Sequence, residues 1–340
     1  MYSAHEATNG SDITAREGLT DVVDASFLAA GSSQMLVLEP ISGMTQASSV
    51  SPVALDSLLL KHGAVLLRGF ALSTASEFGR AANHFFGNLF GEYGDLPRET
   101  AGETVYESTP YPPDQRILFH NESSHLPSWP LRIAFGCTIP AQSGGATPFV
   151  DSRRVMADLD RLVVEEIDKK GLRYVRNFTP GIEPSWQEFF HTTDRAQVEA
   201  ACRASGNQFE WRPGGALRIL HDAPGVLRHP KTHEAVFFNQ VQLHHIACVD
   251  EETRSGLRAL FDDEDLPRTV TFGDGTAIPE DVMEHITAVY DRIATRFTWE
   301  LGDMLVLDNM LVAHGRDTYV PPRRIVVALG QMFDGNALDR

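Results

Sequence analysis

Residues 299–329 read WELGDMLVLDNMLVAHGRDTYVPPRRIVVAL. Gly302-Asp303 is a turn signal feeding an apolar run that closes at Asp308-Asn309, and Pro321-Pro322 precedes a second run, Ile325 to Leu329. Short apolar runs bounded by turn residues predict buried strands. Working outward, the same pattern predicts strands at 35–38, 64–69, 131–139, 147–150, 217–220, 235–239 and 269–272. Helical spacing of apolar residues marks 51–62, 75–90, 153–170, 186–204 and 279–296. Strands spread this widely, with helices inserted rather than alternating as βαβ units, predict a closed or sandwiched antiparallel sheet. The expected fold is mostly β with helical insertions. Residues 1–18 are polar and small and are expected to be frayed. The remainder, 19–340, is expected to be one domain with helical inserts at about 153–205 and 279–297.

The chain has 340 residues, 42% hydrophobic and 22% charged, with a formal net charge of −17. Such an acidic chain is repelled by phosphate backbones and anionic lipid, which argues against nucleic-acid and membrane-surface roles. No run approaches the roughly 18 apolar residues of a membrane span, and the N-terminus lacks a basic-then-apolar leader. Cys137, Cys202 and Cys248 are odd in number and widely spaced, which predicts reduced thiols in a cytoplasmic protein.

His120-Asn121-Glu122 sets an imidazole and a carboxylate two residues apart. In an extended segment both point to one side, as a divalent first-row metal requires. With 13 His and 46 acidic residues, chance alone supplies roughly two such pairs. His314 adds a second imidazole, and two His with one carboxylate hold iron on one face. Arg323 or Arg324, at the start of a buried strand, is costly unless it meets an anion, and a guanidinium suits a carboxylate. The two face opposite sides, so one should point inward. Asp308 and Asn309 can either orient a metal ligand or cap a turn. In His244-His245, adjacent strand residues again diverge, giving one pocket-facing and one packed or exposed histidine. Phe272-Gly-Asp-Gly-Thr276 lacks a following Gly-Lys-Ser/Thr and reads as a turn. His221-Asp222 has no G-x-S-x-G elbow to support a hydrolase.

Four stretches carry a family resemblance: FHNESSHLPSWP at 119–130, PAQSGGATPFVDSRR at 140–154, FNQVQLHH at 238–245, and 299–329. In order along the chain, they resemble the iron(II)- and 2-oxoglutarate-dependent dioxygenases of the taurine dioxygenase/clavaminate synthase superfamily. Within it, the branch of the syringomycin-type amino-acid hydroxylases is the most alike. The resemblance implies a double-stranded β-helix, or jelly roll, of the clavaminate synthase-like kind. It implies that His120, Glu122 and His314 hold Fe(II). It implies that Thr147 and one of Arg323 and Arg324 bind 2-oxoglutarate; the branch's Pro-Pro-Arg-Arg pattern favours Arg323, whereas the spacing to the apolar run in taurine dioxygenase favours Arg324. Asn239, Gln240, His244 and Ser123 are the implied substrate residues.

The implied reaction is hydroxylation of an unactivated aliphatic C–H with O2 as oxidant. The implied substrate is an amino acid or a derivative, free or tethered to an acyl or peptidyl carrier protein, in specialised metabolism. Glu122 keeps the carboxylate that related halogenases lack, which disfavours halogenation. Val327 or Ala328, depending on which arginine binds the cosubstrate, stands where taurine dioxygenase carries its sulfonate arginine, so a taurine-like substrate is disfavoured. The alternatives are desaturation or cyclisation with the same cofactors, or a cupin-like non-oxidative metalloenzyme.

Overall fold

The computed structural model describes residues 10–30, 33–43, 45–90, 105–107, 111–179, 182 and 184–338. They cluster into two compact units, each assembled from three stretches. The first comprises 1–117, 130–151 and 293–333; the second comprises 118–129, 152–292 and 334–340.

The first unit is built on a seven-stranded sheet. Its order is Val23–Ala30, Ser33–Pro40, Ala64–Leu67, Met304–Asp308, Ser128–Ile139, Arg324–Asp334 and Tyr106–Glu107. Ala64–Leu67 and Met304–Asp308 are buried at every residue, so these central strands are covered on both faces. One face packs under the helices Pro52–His62 and Ala75–Phe86, where Leu55, Leu58, Phe78 and Ala82 meet Val65, Leu67, Met304 and Val306. Thr74 and Glu77 close a reciprocal capping box at the start of the second helix. Gly136 lets that helix sit close, since a Cβ there would lie 2.3 Å from the Phe78 ring.

A ladder of three strands has the order Ile117–His120, Val312–Arg316, Phe149–Asp151. Its middle strand pairs antiparallel with the last, His314 opposite Phe149. The turn into that middle strand is held by Asp308, whose Oδ1 accepts from the amides of Met310 and Leu311. Its Oδ2 accepts from the fully buried Arg132 guanidinium, which also meets Asp56. Of the two roles open to Asp308, turn capping is the one the structure gives it.

The second unit carries an antiparallel sheet ordered Gln208–Trp211, Leu217–Ala223, Leu172–Phe178, Arg268–Phe272. Helices Trp186–Phe190 and Arg195–Ala204 cover one end through Trp186, Val198 and Cys202 packed on Phe178, Leu217 and Ile219.

Several sequence expectations are corrected here. The helix expected at 153–170 is two, Ser152–Asp158 and Arg161–Lys170, because Asp160 caps a new start. The helix expected at 186–204 also divides, at a left-handed His191 and a new cap, Asp194. Gly10–Arg16 forms a helix with Ile13 buried, within the stretch expected to be frayed; residues 1–9 lie outside the described ones. Leu172–Phe178 and Val23–Ala30 are strands not foreseen. The turn at Gly273-Asp274-Gly275 is as expected, with Asp274 accepting from the Thr276 amide. All three cysteines are free thiols. Among the described residues, no helix is long and apolar enough to cross a membrane.

Removing one partner of a buried ion pair strands the other charge, at about 3–5 kcal/mol. Asp308→Ala is therefore expected to lower unfolding stability by that amount, read as a lower urea midpoint, whereas the exposed Glu165→Ala shifts it by less than about 0.5 kcal/mol.

Candidate metal and cosubstrate centre

His120 ends the strand Ile117–His120, and Glu122 follows in a turn rather than in extended chain. Same-side alternation therefore does not bring them together; the turn does, with Ser123 at φ +58°. The His120 Nδ1 lies 2.8 Å from the Leu118 carbonyl, so Nδ1 carries the proton and Nε2 is the nitrogen with a lone pair. That Nε2 lies 3.8 Å from Glu122 Oε2. His314 sits buried in mid-strand, its ring 5.0 Å from Phe135. One ligand atom from each of His120, Glu122 and His314 lies within 4.8 Å of the others. Two imidazoles and a carboxylate at this spacing, with one tautomer set by a backbone carbonyl, fit a divalent first-row metal such as iron(II).

Thr147, two residues before the partner of His314, is buried. Its Oγ1 accepts from the Trp299 indole at 3.2 Å and from Arg323 Nη2 at 3.4 Å. With both lone pairs engaged, the hydroxyl proton is left to donate, and no acceptor among the described residues takes it. Arg323 Nε donates to the Gly145 carbonyl at 2.9 Å, and its guanidinium lies 5.3 Å from the centre of the Tyr319 ring. Burial pushes Arg323 down to about 10, and the neighbouring Arg316 adds to the effect. No carboxylate among the described residues pairs with Arg323. A half-buried guanidinium beside a hydroxyl with a spare proton fits an organic carboxylate. The cradle depends on Gly145, at φ +72°, where a Cβ would lie 2.9 Å from the Arg323 side chain. Arg324 begins the strand itself and is half-buried, so of the two arginines the structure brings Arg323 to Thr147.

The remaining residues separate into scaffold and pocket. Asn239 is buried, with its amide donating to the Gly225 carbonyl and accepting from the Val241 amide. Gln240 donates to the Asn121 carbonyl. Ser123 is buried, and its carbonyl accepts from the Leu126 amide. The two adjacent histidines do not lie on a strand: Val241–His244 is a short helix ending there. They still diverge, because His245 Nε2 turns to the Ile278 carbonyl while His244 turns to Tyr174 and His125. His125 and Tyr174 were not foreseen; His125 stood inside a recognised stretch, but nothing local marked it. Arg316 was not foreseen either, and it donates to the carbonyls of Tyr111, Pro112 and Gln115.

The sequence pattern of the taurine catabolism dioxygenase TauD, TfdA family matches residues 41–329. The dapdiamide synthesis protein DdaC of Enterobacter agglomerans is 34% identical over 276 residues, 81% of this chain and 84% of that protein. A clavaminate synthase-like protein of Arabidopsis thaliana is 31% identical over 296 residues, 84% and 86% of the two chains. Among solved structures, PvcB of Pseudomonas aeruginosa superposes with a TM-score of 0.55 at 16% identity, covering 94% of this chain and 96% of that one. PvcB is described as an Fe, alpha-ketoglutarate dependent oxygenase from an isonitrile synthetic pathway. The expected fold, mostly β with helical elements in a jelly roll, is the fold of these relatives.

Burial holds the His244 imidazole down to about 4, against about 6.5 in an unfolded chain. Between those values the unfolded chain binds more protons, so stability falls as pH drops from about 6.5 through about 4. In chelator-treated protein, the urea midpoint is expected to fall across that window more steeply for the wild type than for His244→Gln.

Proposed function

The chain belongs to the TauD, TfdA family of taurine catabolism dioxygenases, and from that premise we propose that it hydroxylates an unactivated aliphatic C–H bond of an amino acid or amino-acid derivative. Its class, a 2-oxoglutarate-dependent dioxygenase using iron(II), follows from the family and agrees with the donor set of the site. The observation that carries the reading is the convergence of His120, Glu122 and His314, ligands nearly two hundred residues apart in sequence. Support for an amino-acid-like substrate comes from the relative named for dapdiamide synthesis.

His120, Glu122 and His314 would hold the iron, and Thr147 and Arg323 would hold the far carboxylate of 2-oxoglutarate. When bound, this pair supplies the oxidation by O2, with release of succinate and carbon dioxide. The Leu118 carbonyl keeps the His120 ring in one tautomer, so its Nε2 presents a lone pair without reorganisation. Trp299 orients the Thr147 hydroxyl, and Arg323 offers a positive charge in a buried setting where water does not screen it. Phe135 lies against His314 and keeps that side dry. A carboxylate ligand at Glu122 leaves no vacancy at that position for a halide, which favours hydroxylation over halogenation.

Anaerobic addition of iron(II) and 2-oxoglutarate is expected to produce a weak visible charge-transfer band, and oxygen with a substrate panel is expected to release succinate. Absence of both overturns the reading. Glu122→Ala is expected to lose the band and more than about a hundredfold in turnover, beyond the cost of outer contacts to a metal ligand.

Loss of charge-assisted hydrogen bonds to a carboxylate costs about 1.5–3 kcal/mol. Arg323→Gln is accordingly expected to raise the KM for 2-oxoglutarate by about 10- to 100-fold with a smaller change in kcat, while Arg324→Gln leaves that KM within about threefold.

A further inference from the structure

Beyond His314 the chain passes in quick succession through Arg316, Tyr319 and Arg323, and in the first unit these three side chains meet. The Arg316 guanidinium lies 5.2 Å from the centre of the Tyr319 ring, and the Arg323 guanidinium lies 5.3 Å from the same centre. One ring thus serves two cations. The negative face of an aromatic ring attracts a guanidinium, which offsets the repulsion between the two like charges. A second ring, that of Tyr111, lies 5.7 Å from Arg316.

Arg316 ends the strand that carries His314 and is buried. It spends its guanidinium on backbone. Nη1 donates to the Tyr111 carbonyl at 2.9 Å, and Nη2 donates to those of Pro112 and Gln115 at 2.6 and 2.9 Å. The Tyr319 amide donates to the carbonyl between them, that of Pro113, at 2.9 Å. The stretch 111–115 is thereby fastened to 316–319. On its other side Tyr319 pairs with Gly144, and the Gly145 amide donates to the Thr318 carbonyl. A Cβ at Gly145 would lie 3.0 Å from the Tyr319 Cβ and 2.9 Å from the Arg323 Cδ, so the bare glycine lets both side chains close in.

An arginine side chain has many rotamers, and ordering them costs conformational entropy. A contact that selects one rotamer before the ligand arrives raises affinity. Arg316 is also among the charges that push Arg323 down, and that repulsion favours rotamers of Arg323 that point away. The shared ring works against it.

The geometry points to Tyr319 as a positioning residue for the cosubstrate: its ring, anchored by Arg316, holds the Arg323 guanidinium at Thr147 for the far carboxylate of 2-oxoglutarate. The inference rests on the oxygenase reading above and adds two residues that act through Arg323. It requires that the effect of Tyr319 be confined to acids that carry the far carboxylate, and that it vanish when Arg323 is gone.

The test uses the full chain loaded anaerobically with iron(II), and the visible charge-transfer band is followed as a 2-oxo acid is added. One probe is 2-oxoglutarate. The other is 2-oxopentanoate, the same carbon chain with a methyl in place of the far carboxylate. Loss of a cation–π contact in Tyr319→Leu is expected to weaken 2-oxoglutarate binding about five- to tenfold. The same variant is expected to leave 2-oxopentanoate within about twofold, and Tyr319→Phe, which keeps the ring, is expected to leave both within about twofold. On an Arg323→Gln background, Tyr319→Leu is expected to add less than about twofold, since two residues acting through one contact are not additive. Arg316→Gln is expected to weaken 2-oxoglutarate at least as much as Tyr319→Leu; Arg316 is buried, so the half-buried Tyr319 carries the test if the Arg316 variant fails to fold.

Unchanged 2-oxoglutarate affinity in Tyr319→Leu, equal weakening of the two acids, or a full additional loss on the Arg323→Gln background overturns the proposal. Failure of the oxygenase reading is separately visible, as absence of the band when the wild type is given iron(II) and 2-oxoglutarate.

Discussion

Arg132 is fully buried, and its guanidinium is shared by the carboxylates of Asp308 and Asp56. Two charges taken from water are repaid only when their remaining donors and acceptors are matched. Asp308 meets that condition by spending its second oxygen on the amides of Met310 and Leu311. One carboxylate thus ties a central strand of the sheet to the turn from which the His314 strand departs. The position of His314 follows from that turn, since the strand has only Val312 and Ala313 before it.

The same economy appears in reverse at Arg323. There the half-buried guanidinium has a hydroxyl, a carbonyl and a tyrosine face but no carboxylate among the described residues. Burial, and then the neighbouring Arg316, push its pKa down. Such a group suits an anionic ligand, and under the proposed function a dianionic cosubstrate would supply the missing carboxylate. Arg132 and Arg323 therefore make a contrast within one unit: the first meets two carboxylates of the chain, the second none among the described residues.

Much of this was legible in the sequence. The apolar runs before Asp308 and after Arg324 are strands, as their β-branched content and flanking turns indicate. The candidate metal ligands could be named because the resemblance spans several separated motifs. Strand alternation does not set the facing of His120 and Glu122: a turn aims the carboxylate. His244 and His245 repeat the lesson, diverging from a helix end rather than from a strand. Apolar periodicity runs on through 153–170 and 186–204, but the caps at Asp160 and Asp194 divide each stretch into two helices. Asn239 and Gln240 carry motif identity but spend their amides on backbone groups.

By itself, then, the order of residues determined the strand-rich class, the chemistry of the donor set and the family, because each is written in local spacing and side-chain type. Only the tertiary structure decided which of two adjacent arginines reaches Thr147, that Asp308 caps a turn, and that His125, Tyr174 and His244 gather at one place. Those outcomes depend on contacts between residues tens to hundreds of positions apart. Strand register and turn geometry set such contacts, and no short window of sequence encodes either.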